Sequence, residues 1–173
     1  MDYKNKEKNL LVKLGGFSKN MVQNHHLENL SEFVMHDLCS QETFNLPKAA
    51  YLVNNPDFTC LKGVAGYHAP ESFKKGSSWQ SQQDFTSHMK NASFNQAVRG
   101  VNGQHVDRSN AAAQQAKIDE LARLFEMSNP QAHVWTLKHD NQGIFIFEQD
   151  QNSDLVQDHL LDFLHMLSFC GIF

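Results

Sequence analysis

No stretch of this sequence approaches the roughly 18 to 20 consecutive apolar residues that a membrane span requires. The opening MDYKNKEKNL also lacks the apolar core of a secretory signal. A cytoplasmic chain is the expectation. Cysteine is scarce: Cys39, Cys60 and Cys170 are widely spaced and show no C-x-x-C pairing. That pattern argues against a disulfide framework or a zinc knuckle and for reduced, buried thiols. Charge is not concentrated in one sign, since a net charge of -4 with 20% charged residues is ordinary. Composition therefore implies neither wholesale disorder nor a nucleic-acid-binding surface. Gly100 and Gly103 make no phosphate cradle, because the P-loop ending and the G-x-G-x-x-G spacing are both absent. The G-x-S-x-G nucleophile elbow is absent too, and Cys60 falls in an apolar strand pattern where a thiol is inert.

What is present is a core. The 173 residues, 40% of them apolar, suit one α+β domain over residues 1–173. The strongest signal lies between Ala132 and Phe169. His133 to His139 alternates, with Val134, Thr136 and Lys138 on one face and Trp135 and Leu137 on the other. Ile144 to Phe147 is rich in β-branched and aromatic residues, so the pair reads as a hairpin. Its turn is Asp140-Asn141-Gln142-Gly143, with Gly143 available for a left-handed conformation. Beyond it Ser153 is placed as a helix N-cap, with Asp154 and Asp158 in the first turns, where the helix dipole favours anions. Val156, Leu160, Phe163, Leu164 and Leu167 then form one buried stripe.

Taken from the start, residues 1–9 read as a frayed basic tail, and Leu10 to Leu14 as a short strand or helical turn that Gly15-Gly16 interrupts. Leu27, Leu30, Val34 and Leu38, with Phe33 beside them, predict a helix over about 24–39. Ala49 to Val53 and Phe58 to Tyr67 form a second hairpin around Asn54-Asn55-Pro56-Asp57, and Gly63 and Gly66 in it suit a bulge or a close backbone approach. Residues 69–108 read as a helical and loop insertion, with a helix from Ser77 or Ser78 to about Val98 and a loop from Gly100 to Arg108. Ser109 or Asn110 then caps a helix from Ala111 to Glu126, buried along Ile118, Leu121, Leu124 and Phe125 and stopped by Asn129-Pro130.

The order α-ββ-(α insertion)-α-ββ-α predicts an antiparallel sheet built from two hairpins and packed with helices. The run ELARLFEMSNPQAHVWTLKHDNQGIFIFEQDQNSDLVQDHLLDFLHMLSF resembles the second half of type III secretion chaperones of the Tir-chaperone class: a Leu-rich helix, two strands around a turn, and a last amphipathic helix. LPKAAYLVNNPDFTCLKG is similar to the Leu-Pro and strand-turn-strand opening of that family. The resemblance covers about half the chain. It implies a small, acidic, cytoplasmic α+β dimer that holds a partner polypeptide, with the helix Asn110 to Glu126 near the dimer contact and exposed strand residues receiving the client.

Chemistry-bearing residues are few. His105 and Asp107, in a loop between Arg99 and Arg108, could supply a general base and an anion clamp. His36 and Cys39 share a helical side, and with Cys60 or His68 they could contribute to a metal site; scattered structural histidines are the simpler reading, and no metal or cofactor is assigned. Trp135, Phe145 and Phe147 line one face of the last hairpin, and Val134, Ile144 and Ile146 the other. A sheet apolar on both faces needs helices on both sides or a second polypeptide. Core burial accounts for the aromatic face; the partner-binding reading assigns all six residues to contact with another protein or peptide segment. Two further functions stay open: a small-molecule or catalytic domain using the His105 loop, and an immunity or regulatory protein whose acidic C-terminal half blocks a basic partner.

Overall fold

The computed structural model describes residues 3–149 and 157–171. Two helices come first, α1 (Tyr3–Gln23) and α2 (Leu30–Cys39), then the hairpin β1 (Lys48–Asn55) and β2 (Cys60–His68). Helices α3 (Gln82–Asn91) and α4 (Ser93–Arg99) precede the short strand β3 (Asn102–Gln104), and α5 (Ala111–Leu124) leads to β4 (Pro130–Thr136) and β5 (Gln142–Glu148). The last described helix, α6 (Gln157–Leu164), runs into a 3-10 turn, His165–Phe169. The strands form one antiparallel sheet in the order β3-β2-β1-β5-β4, the two hairpins meeting along β1 and β5. This is the expected α+β class. Residues 153–156, with the Ser153 cap, Asp154 and Val156, lie outside the described residues, as does the side chain of Asp158.

Both faces of the sheet are covered by the chain itself. Ala49, Tyr51 and Val53 of β1, Tyr67 of β2, Trp135 of β4, and Phe145 and Phe147 of β5 pack under α1, α2, α6 and the closing 3-10 turn. On the reverse, Ala50, Leu52, Leu61, Ile144 and Ile146 pack under Val98 of α4 and Ile118, Leu121, Ala122 and Phe125 of α5. Strand residues alternate between faces, so each strand supplies both layers, and the continuous apolar runs follow from that.

Four expectations are corrected. Part of the basic segment expected to fray is helical from Tyr3, and Gly15-Gly16 sits inside α1 rather than ending it. Each interior glycine costs about 1 kcal/mol relative to alanine, and burial of Leu14, Phe17 and Met21 along one side outweighs that. The predicted helix ending at Val98 is two helices, broken at Ala92, whose backbone is extended. The loop after Gly100 contains β3, too short to show a periodicity. In the last hairpin the left-handed turn residues are His139 and Asp140, not Gly143, which lies inside β5. Gly143 matters there for what it leaves out. A Cβ at this position would meet the Trp135 ring at 2.6 Å, so its bare backbone lets the indole lie across β5 and stack on Tyr51, with ring centroids 5.7 Å apart.

The insertion lies along one edge of the sheet and adds β3 as its outermost strand. Beyond its short pairing with β3, β2 is flanked by α4, and the Gly63 amide donates to the Val101 carbonyl at 3.0 Å. The Gly66 amide donates to Asn95 Oδ1 at 2.8 Å. Asn95 in turn donates to Glu32 Oε1 at 2.9 Å, and Arg99 donates to the same oxygen at 2.8 Å. Glu32 is only 2% exposed, so its charge is tolerated because Arg99, Asn95 and Asn29 all donate to it. A Cβ on Gly63 would lie 1.7 Å from the Val98 carbonyl oxygen, a clash with backbone that α4 cannot relieve by rotating a side chain. Gly63→Ala should therefore lower stability by about 1–3 kcal/mol, read from urea unfolding midpoints. A midpoint equal to wild type would show that α4 is not held this close to β2.

Candidate functional site

The polar constellation around His105 is taken up by structural roles. His105 Nδ1 lies 2.8 Å from Asn54 Oδ1 on the β1 end. Asp107 is exposed and accepts from the Ser109 amide at 2.8 Å and its hydroxyl at 2.7 Å, and these bonds hold its carboxyl below the usual carboxylate range. Arg108 faces Asp140 at 3.9 Å, while Arg99 is committed to Glu32. These four side chains fasten a loop and an edge; they do not converge as one acid-base group. Among the described residues no group of three His, Cys, Asp or Glu side chains converges as metal ligands. Burial pushes the Cys39 thiol above its ordinary range, and the His36 ring sits against Tyr67, Phe73 and Phe85.

The six strand residues assigned to partner contact divide differently. Trp135, Ile144, Phe145, Ile146 and Phe147 are buried in the chain's own two cores, and only Val134 is half-exposed. The face-binding expectation is corrected: α1, α2 and α6 sheathe one side and α4 and α5 the other, so the apolar faces need no second polypeptide.

What stays open is an edge. Among the described residues no strand pairs with the outer side of β4, the last strand of the sheet. The Leu137 amide donates to the Asn141 carbonyl at 2.7 Å, which fixes the alternation: Trp135, His133 and Gln131 exchange bonds with β5. The N–H and C=O groups of Ala132, Val134 and Thr136 then point away from the sheet. Their side chains lie on the α5 side, with Ala132 and Thr136 exposed. Edge strands are commonly guarded by charge, bulges or proline. Here the outward row is small and uncharged, and Pro130 guards only its start. In the sequence Asn129-Pro130 reads as a helix stop; a proline opening a strand is also a sign of an edge position.

The other face of β4 carries a cluster of rings. Trp135 donates from Nε1 to Ser168 Oγ at 2.9 Å, tying the C-terminal turn to the sheet. His133 stacks on Trp135 with centroids 5.7 Å apart and meets His165 edge-on at 6.0 Å. A cleft of about 830 Å³ lies elsewhere, between α1, the end of α2 and the segment around Trp79, whose indole donates to Asp37 Oδ2 at 2.5 Å. No protein-family model, curated protein or solved structure matches this chain.

Burial, and secondarily the neighbouring His165, hold the His133 imidazole below its usual 6.5. The unfolded chain therefore takes up this proton more readily than the folded one, and the contribution of His133 to stability is lost as pH falls below about 6.5 towards its lowered folded value. Urea unfolding between about pH 7 and pH 5 should show a shallower loss of stability for His133→Gln than for the parent chain. Parallel curves would place His133 outside the linkage.

Proposed function

We propose that this chain is a protein-binding module of the secretion-chaperone kind, working in the cytoplasm, that holds an extended segment of a partner polypeptide by pairing it with the outer edge of β4. The observation that carries this reading is the unguarded row of backbone groups at Ala132, Val134 and Thr136. Main-chain hydrogen bonds along such a row supply affinity, and side chains on alternate faces supply selectivity. Of the two outermost strands, β3 is only three residues long and lies beside α4, whereas β4 is seven residues long and its outward row is small and uncharged. With α1 and α2 taken together and the insertion of α3, α4 and β3 set aside, the elements follow the order that the chaperone resemblance implies: a helix, strands, a helix, two strands and a final helix. The homodimer implied by the same resemblance would use the outer side of α5, where Leu124, expected in the buried stripe of this helix, is instead 63% exposed.

A small-molecule-binding reading has one observation in its favour, the cleft beside Trp79. It does not draw on the His105 loop, whose side chains are already partnered.

Val134→Pro separates the edge from the fold. It removes an outward N–H that makes no bond to β5, and proline is tolerated on edge strands. A labelled peptide alternating threonine and glutamine should bind the parent chain and bind the Val134→Pro variant about tenfold or more weakly, measured by fluorescence anisotropy. The urea midpoint should be nearly unchanged. Equal binding by both proteins would overturn the edge reading.

A further inference from the structure

The outward face of α1 is used neither by the two cores nor by the β4 edge. Leu14, Phe17 and Met21 are the buried side of this helix. Turned the other way, at the spacing of one helical face, stand Lys8, Leu11, Val12, Gly15, Lys19 and Val22, all exposed. Leu11 is 49%, Val12 68% and Val22 74% exposed, whereas the other large apolar side chains exposed among the described residues, Phe58, Leu124 and Phe169, lie singly elsewhere. Single exposed apolar residues are ordinary on a protein surface; three gathered on one helix face call for a reason. Charge on this face is of one sign. Glu7, the one carboxylate in α1, is engaged with α6, 3.2 Å from His159 Nε2, and Glu28 follows only after the helix has ended. Lys13, off to one side, pairs with Glu42 at 2.6 Å. Lys8 and Lys19 therefore flank Leu11, Val12 and Gly15 with no acid between them, and the helical rise sets them about 16 Å apart. Gly15 and its neighbour Gly16 stand in the helix interior, where glycine is disfavoured, yet a Cβ on either would meet nothing within 4 Å. At Gly63 and Gly143 the missing side chain admits a neighbour from the same chain. At Gly15 the open space faces outward.

We propose that this face of α1 docks an amphipathic helix of a partner protein, apolar along one stripe and acidic on its flanks. Charge complementarity sets the flanks: Asp or Glu beside the stripe meets Lys8 and Lys19, whose alkyl stems extend the apolar patch. Gly15 favours a helix as the occupant, because bare backbone at a crossing point lets two helix axes approach closely while Leu11, Val12 and Val22 grip the crossing helix on either side. A second copy of α1 fits this face poorly. Paired about a two-fold axis near Gly15, two such helices would set lysines beside lysines with no acid to meet them. A bilayer surface fits poorly as well, since the face carries no aromatic residue to sit among the headgroups and Gly15 contributes nothing to insertion. The docking face shares no residue with the β4 edge, and the proposal does not rest on the edge-pairing reading.

Two labelled peptides of about 20 residues, long enough to hold a helix, test this. Both carry leucines along one helical stripe, flanked by glutamate in one and by lysine in the other, and each is titrated against the intact chain by fluorescence anisotropy. The glutamate peptide should bind roughly tenfold tighter than the lysine peptide at low salt, the gap closing as salt rises. Lys8→Glu combined with Lys19→Glu should reverse the order. Gly15→Leu has room in the free protein and removes a helix-interior glycine, so it should keep or raise the urea midpoint while weakening the glutamate peptide about tenfold. Unchanged or tighter binding by Gly15→Leu would overturn the proposal, because unspecific apolar adhesion grows with apolar area. Equal binding of the two peptides would overturn it too. Val134→Pro should leave the glutamate peptide's affinity unchanged; a loss would place that peptide at the β4 edge, overturning this proposal and leaving the edge reading intact. A concentration-dependent dimer in sedimentation that Gly15→Leu dissolves would overturn it in favour of a second copy. Capture on phosphatidylserine vesicles that Lys8→Glu with Lys19→Glu abolishes, with neither peptide bound, would overturn it in favour of a bilayer.

Discussion

The approach of α4 to β2 is the contact on which the rest of this structure depends. Only glycine lets the Val98 carbonyl come so near the strand at position 63, and only that nearness puts Asn95 within reach of the Gly66 amide. The consequence runs outward in both directions. Asn95 and Arg99 meet Glu32, so a helix from one face of the sheet is fastened to the element that seals its edge, through a carboxylate with almost no access to water. The Gly63 and Gly66 amides, which would otherwise lie open on β2, are paired within the chain. An α+β domain of this kind begins with two sheet edges, and here the insertion covers most of one of them, leaving the three-residue β3 outermost.

The opposite edge is organised by Trp135. Its indole crosses β5 over Gly143, stacks on Tyr51, and holds Ser168 of the closing turn. The inner face of β4 is thus fixed as firmly as the core, while its outer backbone row has no partner among the described residues. A rigid strand with an open side is preorganised for pairing, because ordering has already been achieved on folding and need not be repeated on binding. Faces closed and one edge open is a different arrangement from the one that hydrophobic patterning suggests, in which surplus apolar strand surface calls for a covering protein. The surplus is real, but α5 and α4 absorb half of it.

Much of this is legible in the sequence. The hairpins, the capped helix from Ala111, with Asn110 Oδ1 accepting from the Ala113 amide at 3.0 Å, and the amphipathic C-terminal helix all show themselves by period and cap. Gly63 and Gly66 are recognisable as a bulge or a close approach, and the fold uses both: the β1–β2 register shifts beside Gly63, and α4 lies against it. What periodicity does not carry is which element does the approaching. Glu32 and Asn95 carry no signal of their own in the sequence, and Arg99 reads only as part of an anion clamp beside the His105 loop. Their mutual contact spans 67 residues of sequence between Glu32 and Arg99 and exists only in the fold. Gly143 reads as a turn residue because turn chemistry and a bulky ring on the neighbouring strand leave the same mark, a glycine. Residues 69–108 look like an insertion because their helices are short and their role is to cover an edge, which imposes no long apolar stripe.

Amide hydrogen exchange along β4 in the free protein tests the central claim most directly. The Ala132, Val134 and Thr136 amides should exchange quickly and the His133 and Trp135 amides slowly, an alternation with the period of the strand. Uniform protection of all five would mean that the outer edge of β4 is already paired, and would contradict the account.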